Sequence, residues 1–112
     1  MNDEMARLQC RPCRDGAAPL DTGASIAYLA DRPGWGLSSD SKRIEREFQF
    51  RRFSDALAFV NEVGAIAEEQ DHHPDICFGW GYVSIRLQTH SIDGLHENDF
   101  IMAAKIDMLP TS

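Results

Sequence analysis

This chain is short of positive charge, of cysteine and of long apolar runs, and each shortage excludes something. Its 112 residues carry 11 Lys and Arg against 18 Asp and Glu, a formal net charge of −7. The acids are spread along the chain, so it lacks the basic face that a DNA or RNA duplex requires. No apolar run approaches the roughly 20 residues of a membrane-spanning helix. Residues 1–11 mix acids and bases without the apolar segment of a signal peptide. A cytoplasmic protein with no membrane and no nucleic-acid partner is the expectation. Repeats and low-complexity tracts are also missing. Three cysteines, an odd number, do not make a disulfide framework.

Two of those cysteines form a lone C-x-x-C, Cys10-Arg11-Pro12-Cys13. A structural zinc site takes four ligands, and no second pair is present. A redox pair belongs at a helix start after a strand, whereas this one lies among Pro12, Gly16 and Pro19. Reduced thiols in an irregular arm are expected, with a metal site completed across a dimer or by a histidine as the alternative. Cys77, in an apolar strand-like run, reads as a small core residue.

What is present organises into an irregular arm over residues 1–19 and a single domain over 20–112. With 43% apolar residues the domain can bury a modest core, and oligomerisation would bury more. Asp21 or Thr22 caps a first helix reaching about Asp31, with Ile26, Leu29 and Ala30 inward, and Arg32-Pro33-Gly34 stops it. Trp35 in the next loop is either a lid on the core or a flat wall for a planar ligand. A short strand can lie around residues 37–41. Residues 43–50 alternate, with Ile44, Phe48 and Phe50 on one face and Arg46 interrupting it, at an edge or a subunit contact.

Ser54 is the expected N-cap of a long helix ending near Gln70, with Phe53 stapling its entry. Its apolar stripe is Ala56, Phe59, Val60, Val63, Ile66 and Ala67. Residues 76–80 and 82–89 read as two strands joined by a turn or bulge at Gly79 and Gly81. A last helix over about residues 97–108 presents Phe100, Ile101, Ala104 and Met108. The fold class is α+β: an antiparallel sheet of three to four strands with three helices packed on one face.

Chemistry gathers between Glu68 and Asp99. His72 and His73 are adjacent, His90 follows, and all lie near expected element ends. Histidine, with an unperturbed pKa of about 6.5, exchanges protons near neutrality. Imidazoles at one mouth beside carboxylates suit proton transfer. Glu68, Glu69 and Asp71 crowd a helix C-terminus, where the macrodipole disfavours anions. They form either a solvated cluster or a carboxylate source for the histidines. Asp99 is either a helix N-terminal acid or a partner of the catalytic groups. Trp80 reads as a packing residue and His96 as a surface one.

The series Glu68, three residues, His72-His73-Pro74, five residues, Trp80, nine residues, His90, then Asp99 resembles the signature of pterin-4a-carbinolamine dehydratases. Gly34-Trp35, Arg46, Phe48, Phe50, Thr89-His90, Gly94-Leu95 and the closing Ala103-Ala104-Lys105-Ile106-Asp107 also resemble that family, over roughly residues 20–108. His96 departs from it, standing where Thr or Ser is usual at a helix cap.

The resemblance implies an antiparallel sheet with helices on one side, assembled as a homodimer or homotetramer. It implies dehydration of 4a-hydroxytetrahydrobiopterin to quinonoid dihydropterin in tetrahydrobiopterin recycling, with a functional link to an aromatic amino acid hydroxylase. The chemistry asks for no cofactor and no metal. His72 and His90 are the expected proton-transfer pair, with His73, Glu68 and Asp99 completing the catalytic set. Trp35, Asp71, Gln88, Thr89 and Ser91, with the three histidines, are the expected substrate-binding residues. The alternative is a catalytically silent relative serving as a transcription-factor dimerisation cofactor or a carboxylase assembly scaffold.

Overall fold

A computed structural model of the protein describes residues 3–12 and 17–111. The elements run α1 (Thr22–Leu29), β1 (Gly36–Leu37), β2 (Ile44–Gln49), α2 (Phe53–Gln70), β3 (Asp75–Gly79), β4 (Tyr82–Leu87) and α3 (Glu97–Asp107). Single 3-10 turns lie at Met5–Arg7 and His90–Ile92. The sheet is antiparallel, in the order β1-β2-β4-β3. Among the described residues it is therefore an α+β fold with three helices and four strands, as the element pattern implied.

Alternation sets the faces of the sheet. Ile44 pairs with Leu87, Phe48 with Val83 and Ile76 with Ile85, and these side chains point at the helices. Glu45, Glu47 and Ser84 take the other face, where Glu45 meets Arg86 at 3.2 Å. Against the inner face α2 lays Ala56, Phe59, Val63 and Ala67, all buried, with Val60 and Ile66 at the margins. Full burial of side chains such as Phe59 or Val63 is worth about 1.5–3 kcal/mol each. α3 is buried from Asn98 through Ala104.

Several expectations need correction. Ile26 is 57% exposed and Ala30 is exposed. α1 is rotated so that Ser25 is buried and Tyr28 stacks on Phe100 at 4.7 Å. The large ring, not the aliphatic pair, sets the orientation of this short helix. Ser54 is not the N-cap: α2 begins at Phe53 after Arg52, and the Phe53 ring lies against Phe78 at 5.6 Å. Met108 lies just past α3 and is exposed. Cys77 is on the outer face of β3 and exposed, because its neighbours Ile76 and Phe78 take the inward positions.

Trp80 does not pack. It occupies the two-residue turn between β3 and β4, 75% exposed, beside Gly81, whose φ of +88° suits glycine. Arg46 is half-buried on β2, a strand interior to the sheet rather than at its edge. Its guanidinium stacks 4.4 Å from the Phe48 ring centre and meets Asp107 at 2.7 Å. A Cβ on Gly34 would come within 2.6 Å of that guanidinium, so any larger residue there would have to displace the Arg46 side chain from where it meets Asp107.

Candidate active site

The histidines reach one place because three chain reversals converge. Asp71 caps α2 in the left-handed conformation, φ 51°, and the His72 amide donates to the Ala67 carbonyl at 3.1 Å. Aspartate tolerates that conformation better than most residues. The reversal turns His72 back under the helix end, and Pro74 leads into β3. Past β4, Thr89 and Gly94 pair across a short loop, with the Thr89 amide donating to the Gly94 carbonyl at 2.8 Å. That closure holds His90 on the exposed side of the loop while Ile92 plugs the core.

The third reversal starts α3. The His96 ring Nδ1 accepts from the Asn98 amide at 3.0 Å, and Asp99 Oδ2 accepts from the His96 amide at 3.0 Å, a reciprocal capping box. Histidine thus caps in place of the usual hydroxyl.

Asp99 is fully buried and does more than cap. Its Oδ2 also accepts from the Thr89 hydroxyl at 2.8 Å, and its Oδ1 lies 2.7 Å from His72 Nε2. With Asp99 ionised, His72 Nε2 carries the proton toward it, and Nδ1 is left to exchange a proton elsewhere. One carboxylate therefore both caps α3 and pairs with the His72 ring.

His73 Nε2 lies 2.5 Å from Glu68 Oε2, a contact open to solvent on both sides. The His90 side chain has no hydrogen-bond partner among the described residues.

These residues open on a cleft of about 630 Å³. His72, His73, His90, Asp71 and residues 88–91 line it, which brings together most of the residues the sequence singled out. Glu68 reaches it only through His73.

Trp35 does not reach the cleft. It is 5% exposed, packs edge-on to Phe48 and donates its indole N–H to Asp107 at 2.9 Å. It is a core residue, so it does not cover a planar ligand from this position. Cys13 lies outside the described residues.

Cys10, Arg11, Pro12, Glu69, Gln70 and Asn98 also line the cleft and were not anticipated. Gln70 left one signal. It continues the apolar stripe of α2 through Val63 and Ala67 as an amide, and a polar group on a buried face needs a partner. No group of three or more potential metal ligands occurs among the described residues.

A small α+β domain with histidines and a buried carboxylate at one cleft is a frame for proton transfer. Comparison with known proteins narrows it. The family model described as Pterin 4 alpha carbinolamine dehydratase matches residues 18–109. A protein of Halorhodospira halophila, named provisionally as a pterin-4-alpha-carbinolamine dehydratase, is 54% identical over 100 residues. That match covers 89% of this chain and 92% of the relative. One from Aromatoleum aromaticum, with the same provisional name, is 50% identical across 97% of both chains.

Among solved structures, a transcriptional coactivator/pterin dehydratase from Brucella melitensis superposes with a TM-score of 0.75 at 32% identity. It covers 80% of this chain and 95% of its own. A pterin dehydratase-like protein identified as a RuBisCO assembly factor in the alpha-carboxysome gives 0.57 at 28% identity, covering 66% and 86%. The chain belongs to the pterin 4 alpha carbinolamine dehydratase family.

Proposed function

We propose that this protein is an active dehydratase, converting 4a-hydroxytetrahydrobiopterin to quinonoid dihydropterin and water. The observation that carries the reading is the His72–Asp99 pair, buried on one side and opening on a cleft shared with His90. The substrate's C4a–OH bond must break while a neighbouring ring N–H gives up its proton. Hydroxide is a poor leaving group, so one imidazolium protonates the departing oxygen. A neutral imidazole takes the nitrogen proton as the C=N bond forms. Each transfer is worth about 10²–10⁴-fold.

His72, fixed by Asp99, and His90, free to adjust, are assigned these two roles. His73, steadied by Glu68, binds the pterin with Asp71 and residues 88–91, whose polar groups suit its amide and amino edges. No step requires a cofactor or metal.

The product is of use where a reductase regenerates tetrahydropterin, which places the protein in tetrahydrobiopterin recycling beside an aromatic amino acid hydroxylase. No helix among the described residues is long and apolar enough to cross a membrane, which is compatible with a cytoplasmic location. β3 is an edge strand, and an unpaired edge favours pairing with a second copy, as a homodimer or homotetramer.

The second reading is a silent scaffold, supported by the assembly-factor neighbour. The complete set of His72, His73 and His90 favours the enzyme. A stopped-flow assay of 4a-hydroxytetrahydropterin dehydration decides between them. Acceleration over the spontaneous reaction, lost in His72→Ala and His90→Ala variants that stay folded, supports the enzyme. No acceleration by folded wild type moves the reading to the scaffold.

A further inference from the structure

One wall of the cleft comes from outside the family match at residues 18–109: Cys10, Arg11 and Pro12 of the N-terminal arm. The arm is held there by two buried amides. The Asn98 side chain grips the Arg11 backbone at both ends, Oδ1 accepting from the Arg11 amide at 3.0 Å and Nδ2 donating to the Arg11 carbonyl at 2.5 Å. The Gln70 Oε1 accepts from the Cys10 amide at 2.8 Å, and the Gln70 Nε2 donates to the Gln9 side chain at 2.9 Å. Gln70 and Asn98 are 6% and 3% exposed, so leaving either side-chain amide unpaired would be costly.

Upstream, Lys105 Nζ donates to the Ala6 carbonyl at 2.8 Å, and Asp3 meets Arg32 at 2.7 Å. Arg11 itself pairs with Glu97 at 3.0 Å. Both clamps are sequence neighbours of the catalytic pair: Gln70 precedes His72 by one intervening residue, and Asn98 adjoins Asp99. The first turn of α3 thus sends Asp99 to His72 and Asn98 to the arm.

We propose that residues 9–12 form a strap that completes the pterin-binding cleft, and that Gln70 and Asn98 are positioning residues acting on substrate binding through it. The inference rests on the dehydratase reading for the identity of the ligand. The Cys10 thiol lies under the strap, within 3.7 Å of the Asn98 carbonyl, as a packing group. The strap's contribution is to wall the cleft, so its loss weakens binding and leaves the proton transfers of His72 and His90 in place.

The test measures hydrogen exchange at the Cys10 and Arg11 amides, with and without 7,8-dihydrobiopterin, in wild type and Asn98→Ala. It also measures Kd for that pterin, and KM and kcat for dehydration. Wild type should show slower exchange at both amides when the pterin binds. Asn98→Ala should release the strap and raise Kd and KM about tenfold, the scale of one or two lost hydrogen bonds, with kcat within about twofold. Gln70→Ala, which frees the Cys10 amide and keeps the Asn98 bonds, should fall between, and it carries the test should Asn98→Ala fail to fold.

A released strap with unchanged Kd and KM overturns the strap's role while leaving the dehydratase standing, as does exchange that ignores the pterin. Wild type that binds no dihydrobiopterin overturns the pterin reading, and the strap inference with it.

Discussion

α3 carries two aspartates about two turns apart, Asp99 buried and Asp107 half-buried, and they do opposite work. Asp99, in the first turn, accepts from two uncharged donors, the Thr89 hydroxyl and the His96 amide, and from the His72 ring. Asp107, the last residue of the helix, accepts from the Trp35 indole at 2.9 Å and meets Arg46 at 2.7 Å and Arg32 at 3.2 Å. The macrodipole accounts for part of the difference. An anion is welcome at a helix N-terminus and unwelcome at a C-terminus, so Asp107 needs two cations where Asp99 needs none. The partners account for the rest. Arginine does not give up its proton, so the Asp107 cluster is a fixed clamp joining α3, β2 and the loop at Trp35. Histidine does, so the Asp99 cluster can take part in proton transfer. One residue type on one helix holds a proton-exchanging ring or a pair of fixed cations according to what surrounds it.

Four experiments sharpen or break that contrast. Asp99→Asn should have the largest effect, lowering kcat about 10²-fold or more by misdirecting the His72 ring. Near-normal kcat in a folded variant would end the distinction. Asp107→Ala should cost about 2–3 kcal/mol in denaturant unfolding, between an exposed ion pair and a fully buried one. Its kcat per folded molecule should hold, and a collapse of kcat at unchanged stability would make Asp107 part of the catalytic apparatus after all.

His96→Ala removes the cap beside Asp99 and should cost about 1 kcal/mol, whereas His96→Ser should restore it. An equal loss in both would show that the imidazole does more than cap. The smallest effect concerns Cys10, whose thiol burial pushes up from 9.0 to about 11, with Lys105 opposing and the Asp99 charge adding. Because the folded-state value is raised, this group's contribution to stability is complete below pH 9 and is lost as pH rises toward 11. At pH 8 only about one Cys10 thiol in a thousand is thiolate, so iodoacetamide should modify exposed Cys77 well before it. Peptide mapping of the labelled protein reads the order.

The legible parts were those where chemistry repeats along the chain. The stripe Ala56, Phe59, Val63, Ala67 sits where its spacing put it, because a helix facing a sheet must bury every third or fourth residue. The alternation of Val83, Ile85 and Leu87 located β4 for the matching reason. The spacing of His72, His73 and His90 marked the cleft. Orientation was harder to read. Ile26 was expected inward, yet α1 turned on the Tyr28–Phe100 stack, a contact between residues far apart in the chain. Trp35 had two open readings, and the Asp107 carboxylate beneath it decided for the core.

By itself the sequence determined the α+β class, the helix and strand positions to within a few residues, the acidic surface and the set of histidines, since each follows from local pattern or composition. Only the tertiary structure decided that Asp99 is both cap and partner of His72, that Arg46 and Asp107 meet, and that Gln70 and Asn98 hold the arm against the cleft. Those are contacts between groups 27, 61, 60 and 87 positions apart. A lone polar side chain states its need for a partner. The fold chooses which partner arrives.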